Sequence, residues 1–253
     1  MLGWYFPESW GIQRRLKWAL YRYEHATVSY LRSSLGKGAV VVDIGAHIGY
    51  YARLCSRLVG PHGMVYAFEP YPENVRLLAN NCRYCRNVRI VDKAVSGQSC
   101  LCRFYEHRTS TFSHSLTDIS SSSRYIEVEG VSLDDWSKTT HLPRLDLVLI
   151  DVEGSEHTVL DGMAEVLEQY PDVTVVMEYC PDNYAAAGLT EDVFFQTIQK
   201  TDLHILEVLT AYGATTIPAG KTCAEQVEMV KNEFEVNRKK GNYLNLVLAK
   251  AAS

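Results

Sequence analysis

The chain has 253 residues, 47% of them hydrophobic and 22% charged, with a formal net charge of −5. That length holds one sizeable domain, and the mild negative charge excludes a global electrostatic pull toward nucleic acid or anionic membrane. Seven cysteines, an odd number in so long a chain, favour reduced thiols over a disulfide framework, and with them the cytosol.

The first 36 residues read as one or two helices, rich in Tyr and Trp, that cover a cleft; residues 37–253 read as the main domain. The opening "MLGWYFPESWGIQRRL" lacks the basic head and apolar core of a signal peptide, and no apolar run reaches the ~20 residues of a membrane span. Arg14, Arg15, Lys17, Arg22 and Arg32 interleave with Trp18, Leu20 and Tyr21, the pattern of an amphipathic helix with a solvated basic face.

From Ala39 onward, buried strands alternate with helices. "AVVVDIG" precedes a helix over Gly49 to Leu58, and "GMVYAFEP" precedes one from Pro72 to Tyr84, with Pro72 suited to a first turn. "VRIVDKAV" reads as the next strand. "LDLVLIDVEG" precedes a helix from Glu156 to Glu168, and "VTVVMEYC" follows. Strands without polar alternation are buried on both faces, which predicts a doubly wound, mostly parallel α/β sheet. Two stretches break the rhythm. "LCRFYEH" and "RYIEVEGVSL" alternate like half-exposed strands around a serine-rich loop, Thr109 to Ser123. "HILEVLTAYGATTIP" and "YLNLVLAK" are strands flanking a charged helix, Cys223 to Lys240. Cys82, Cys85, Cys100 and Cys102 form a C-x-x-C and a C-x-C, four possible zinc ligands; with no glycine knuckle around either pair, buried free thiols are the preferred reading.

In an open parallel sheet, ligands bind outside the carboxyl ends of the strands. The turn "DIGAHIG" lies at such an end, where Gly45 and Gly49 would let backbone N–H groups approach a ligand. Glu69 ends the next strand, twenty positions after Gly49, and a carboxylate there suits two ribose hydroxyls. The pattern D-x-G-x-x-x-G lacks the middle glycine of a dinucleotide fingerprint. Asp43 at the mouth would repel a diphosphate and welcome a sulfonium, which favours S-adenosylmethionine (SAM) over NAD.

"VVDIGAHIGYYA", "VYAFEPYPENVRLLANN", "VSLDDW" and "DLVLIDVEGSEHTVLDGM" fall in the order of the FkbM-type SAM-dependent methyltransferases, which the chain resembles from about Val40 to Tyr179. The resemblance implies a Rossmann-like class I methyltransferase fold, seven strands ordered 3-2-1-4-5-7-6 with the seventh antiparallel. It implies that Asp43, Gly45, Ala46, His47 and Gly49 lie near the methionine part of SAM, that Glu69 holds the ribose, and that Asp92, Lys93 and Ala94 pass the adenine. It also associates the chain with secondary metabolism and sugar modification. The sequence departs from the family where His47 replaces Asn and where Leu149 replaces a lysine before the acid of "IDVEG".

Methyl transfer from a sulfonium is an in-line displacement, and a hydroxyl acceptor must also lose a proton to a base or a metal. Asp151 and Glu178 end neighbouring core strands and would open into one cleft, followed by Glu153, Glu156 and His157. Asp151, Glu153, His157 and Glu178 are the catalytic candidates, with Asp151 near the cofactor as well. His157 has the best intrinsic pKa for a base, while Glu156 equally suits a helix N-terminus. By analogy with catechol-type methyltransferases, Asp151 and Glu178, with Asn183 or Asp182, would hold a divalent metal such as magnesium. The expectation is an O-methyltransferase acting on a small molecule or glycoside, with no nucleic-acid partner. N-methylation, a non-catalytic SAM-binding protein and, more distantly, a dehydrogenase are the rivals.

Overall fold

The computed structural model describes residues 3–106, 114–118, 124–211, 213–239 and 241–250. Two helices, α1 (Ile12–Ala19) and α2 (His25–Ser34), precede the sheet. Strand β1 (Val40–Ile44) is buried along its length, as a β-branched strand covered on both faces should be. It leads through α3 (Tyr50–Val59) to β2 (Met64–Phe68), and through α4 (Pro72–Cys82) to β3 (Val88–Val91).

The chain then leaves the main sheet. β4 (Ala94–Val95), β5 (Cys100–Tyr105) and β6 (Tyr125–Val131) form a separate three-stranded sheet ordered β4-β6-β5. The single strand expected over "VRIVDKAV" is therefore two. It breaks at Asp92–Lys93, after which Ala94 and Val95 pair with Gly130 and Val131, and Lys93 pairs with Glu129 at 2.8 Å. Most of the Thr109 to Ser123 loop lies outside the described residues.

Helix α5 (Leu133–Thr140) returns the chain to β7 (Leu147–Ile150). The helix expected from Glu156 is likewise two, α6 (Glu156–Asp161) and α7 (Ala164–Gln169). They break at Gly162, whose backbone lies so close to Ser96 that a Cβ would sit 2.3 Å from the Ser96 carbonyl oxygen. There follow β8 (Thr174–Tyr179), α8 (Pro181–Ala186), α9 (Glu191–Lys200), β9 (Leu203–Leu209), β10 (Ala214–Thr216), α10 (Cys223–Asn237) and β11 (Leu244–Lys250).

The main sheet runs β10-β9-β11-β8-β7-β1-β2-β3. Its first five core strands are mutually parallel, and β11 inserts antiparallel between β8 and β9. Read from β3, this is the expected order 3-2-1-4-5-7-6 with one strand more. The addition is β10, which folds back on β9 after a turn closed by the Thr210 N–H donating to the Gly213 carbonyl at 2.8 Å.

The strand order reverses between β1 and β7, so a crevice opens beyond their carboxyl ends. One apolar cluster, with Ile44, Val148, Ile150 and Trp136, fills one face of the sheet. A second, with Trp18, Leu31, Val41, Cys55 and Leu149, fills the other and ties the N-terminal helices to α3. Among the described residues no helix is long and apolar enough to cross a membrane. All seven cysteines are free. Cys82 is buried as expected, but Cys85 and Cys102 are half-buried and Cys100 exposed, and no described cysteine joins a metal-binding group of three or more.

Candidate functional site

Two adjoining clefts open at the crevice. The first holds about 600 Å³ of empty space and is walled by Phe68, Val95, Phe104 and Leu116, with Glu69 and Lys93 on its rim. Its flat apolar walls fit an aromatic base, and its acid fits a pair of hydroxyls.

The turn after β1 builds the cleft in a way the sequence did not disclose. Gly45 has φ +85°, and a Cβ there would lie 1.8 Å from the Asp151 carbonyl oxygen, so glycine is what lets the ends of β1 and β7 touch. The turn's N–H groups are used within the chain. Gly45 and Ala46 donate to the Phe68 carbonyl at 3.1 and 2.9 Å, and Gly49 donates to that of Ala46 at 2.8 Å. Gly49 (φ +93°) lines neither cleft; a Cβ there would meet Leu78 on α4 at 2.8 Å. Both glycines admit close packing, Gly45 against Asp151 and Gly49 against Leu78, and Gly45 also lines both clefts.

Glu69, 4% exposed, is the clasp of the cleft. One carboxylate oxygen accepts the His47 N–H and the other the Tyr71 N–H, both at 2.9 Å. The Asn74 side chain also bonds this carboxylate, which leaves part of its acceptor capacity for a hydroxyl. Asp43 lies beneath the turn, 2% exposed, and lines neither cleft. Its Oδ2 has no hydrogen-bond partner, and its neighbour across the strands is Leu149. Lys93 and Ala94 line the first cleft, whereas Asp92 is exposed and does not.

The second cleft, with about 1000 Å³ of empty space, lies under the N-terminal helices. Trp18, Tyr23 and Tyr51 give it aromatic walls, and Arg14, expected on a solvated face, reaches its edge. Four residues, Gly45, His47, Asp151 and Glu153, line both clefts.

Glu24, Asp151, Glu153 and Glu178 all open into the second cleft. Oxygens of Asp151, Glu153 and Glu178 lie within 4.8 Å of one another. Ionised together at such spacing, each pair would repel by roughly 3 kcal/mol at an effective dielectric of ~20. Burial pushes Asp151 and Glu178 well above the usual carboxylate range, and the neighbouring acids push them further. Glu153 is raised to about 7, chiefly by burial and against the lowering effect of the Asn183 amide, which donates to it at 2.7 Å. Glu153 also sits in the left-handed region, φ +54°, a strain for a side-chain-bearing residue that clusters at functional sites.

Glu156 holds this strained turn. Its carboxylate accepts the Gly154 N–H at 3.0 Å and the Tyr184 hydroxyl at 3.1 Å. The structure does not bring His157 to the site: it lines neither cleft and its ring lies 5.5 Å from that of Tyr184. Tyr184 itself is fully buried core. Of the two extra metal-ligand candidates, Asn183 lines the second cleft, while Asp182 pairs with Arg238 at 3.3 Å. Sequence reasoning missed Glu24, which takes the Tyr51 hydroxyl, and Tyr243. The signals available were an acid among aromatics in "YRYEH" and an aromatic just before the strand that pairs with β8.

Burial raises both Asp43 and Glu69 to about 7. Unfolded carboxyls titrate near ~4, so the stability these two contribute is present below that pH and is lost as pH rises through about 7. The melting temperature in chelator is therefore expected to fall by about 5 °C or more from pH 6 to pH 8. A flat or rising profile in a thermal scan would contradict it.

The methyltransferase FkbM domain matches residues 43–214. The hexuronic acid methyltransferase AglP of Haloferax volcanii is 28% identical over 155 residues, 61% of this chain and 62% of that one. The 2-O-methyltransferase NoeI of Sinorhizobium fredii is 28% identical over 144 residues, 51% of this chain and 58% of that one. The chain thus spans about three-fifths of the length of these curated relatives. Among solved structures, Aeropyrum pernix fibrillarin with natively bound S-adenosyl-L-methionine shares the fold, with a TM-score of 0.52 at 12% identity, covering 92% of this chain and 76% of that one.

Proposed function

The chain belongs to the methyltransferase FkbM domain family, and from that premise we propose that it is a SAM-dependent O-methyltransferase acting on a sugar hydroxyl. The observation that carries the reading is the shared wall: a cleft suited to a nucleoside meets a cleft suited to a polar ring at Gly45, His47, Asp151 and Glu153. The hexuronic acid and 2-O-methyl activities named for the two relatives support a sugar as acceptor.

SAM supplies an electrophilic methyl on a sulfonium. In this reading Glu69 takes the ribose hydroxyls, Phe68 and Phe104 flank the base with Lys93 and Ala94 at its edge, and the Gly45–His47 turn seats the methionine end. Trp18, Tyr23 and Tyr51 offer faces for a sugar ring. Glu153, raised to about 7 and fixed by Asn183, accepts the proton of the acceptor hydroxyl, the range that suits a general base near neutral pH. A neutral amine would need little of this acid set, which sets O-methylation ahead of N-methylation. Free thiols at all seven cysteines support a reducing compartment such as the cytoplasm.

The test is transfer of labelled methyl from SAM to a panel of uronic and neutral glycosides. The expected product carries the label as a base-stable ether. Label on amines alone, or none on any acceptor while SAM binds, would overturn the assignment.

A further inference from the structure

We infer that Asp151 and Glu178 hold a divalent, oxygen-preferring cation at the floor of the second cleft. The inference rests on the methyltransferase reading for what the cation does there, not for whether it binds.

The first observation is distance. Oxygens of Asp151, Glu153 and Glu178 fall within 4.8 Å of one another, a span that one ion bridges with oxygen ligands at about 2.1–2.6 Å. The second is the state of Glu178 taken alone. It is 7% exposed, sits in the middle of the sheet opposite Asn245, and opens into the cleft. Among the described residues its carboxylate takes no hydrogen bond, and the ionisable groups around it are the acids Asp151, Glu153 and Glu156, the thiol of Cys180 and the phenols of Tyr23, Tyr184 and Tyr243, with no cation among them. A carboxylate so withdrawn from water without a donor is costly unless something positive meets it.

The rest of the acid set is already served. Glu153 takes the Asn183 amide and Glu24 the Tyr51 hydroxyl, which leaves Asp151 and Glu178 as the pair without partners among the described residues. No lysine lines the cleft, and its one arginine, Arg14, is exposed. An all-oxygen donor set of two carboxylates, with room for water, selects Mg²⁺, Mn²⁺ or Ca²⁺ over the softer transition metals. Positive charge there offsets the repulsion within the trio and lowers the pKa of a hydroxyl brought beside it. Glu153, outside the ligand pair and held by its own amide, remains free to take the proton.

The experiment uses the full chain, stripped with chelator and without SAM, titrated with Mn²⁺ while the electron paramagnetic resonance signal of free Mn²⁺ is followed. One site per chain is expected. Glu178→Gln and Asp151→Asn are each expected to weaken it by tenfold or more, and Asp182→Asn, outside the cleft, to leave it unchanged. Both cleft variants are near-isosteric and relieve repulsion, so in chelator they should melt at or above the wild-type temperature. No Mn²⁺ binding by the wild type, or equal binding by all variants, would overturn the inference. A parallel SAM titration separates the two readings. SAM binding in chelator without any Mn²⁺ site would sink the cation site alone; Mn²⁺ binding without SAM binding would sink the methyltransferase reading alone.

Discussion

Glu153→Gln is expected to lower kcat by about 10²- to 10⁴-fold, the usual worth of a general base, while SAM binding stays within a few-fold of wild type. Glutamine keeps the shape of the side chain and its contact with Asn183 but cannot accept a proton. The residue lines both clefts, which in the proposed reaction is where the acceptor would meet the methyl donor. Measured in chelator, with its carboxyl raised to about 7, the wild-type rate should climb with pH through neutrality as the base form is populated; a cation on Asp151 and Glu178 would move that limb to lower pH. The glutamine variant should lose that limb. A purely structural role would lower stability and leave the pH profile in place. Turnover within threefold of wild type, with the same pH dependence, would remove Glu153 from the mechanism.

Gly45→Ala is expected to weaken SAM binding by at least about 100-fold and to cost about 3 kcal/mol or more in unfolding free energy. The methyl group would lie 1.8 Å from the Asp151 carbonyl oxygen and 2.8 Å from its carbon. Those atoms are backbone and cannot swing aside, so the ends of β1 and β7 must part, and with them the wall shared by the two clefts. Gly188→Ala is the control. It has a similar φ of +73° with nothing within 4 Å of the added Cβ, so only the left-handed backbone penalty applies, about 1–2 kcal/mol. Denaturant unfolding of the two variants separates the clash from the conformational cost. Equal losses would show that the contact with Asp151 carries no weight.

The strands were legible because β1, β7 and β8 are unbroken apolar runs ended by acids, a pattern that only a sheet covered on both faces explains. Asp151 and Glu178 could be placed together from strand order alone. What escaped was set by contacts distant in sequence. Nothing in "VRIVDKAV" announces that Ala94 will pair with Gly130, or in "EHTVLDGMAEV" that Gly162 must press against Ser96. The glycines of the first turn were singled out for a ligand, but nothing in the sequence shows that they also admit Asp151 and Leu78. His157 has the right chemistry and points away, because the register of α6 after the strained Glu153–Gly154 turn gives its place to Glu156 in holding the backbone. Leu149, noted as a departure from the family, is the strand neighbour of Asp43; an apolar side chain there leaves that buried acid with an unmatched oxygen.

Titration calorimetry of SAM against the full chain and its Glu69→Ala variant, in chelator, tests the cofactor seat most directly. Glu69 joins the His47 and Tyr71 backbones and faces the first cleft, so its loss removes hydrogen bonds to a carboxylate, worth about 1.5–3 kcal/mol. One SAM site is expected on the wild type, with binding at least about tenfold weaker in the variant. A wild-type chain that binds no SAM, or a variant that binds it equally well, would contradict the cofactor seat on which the function rests.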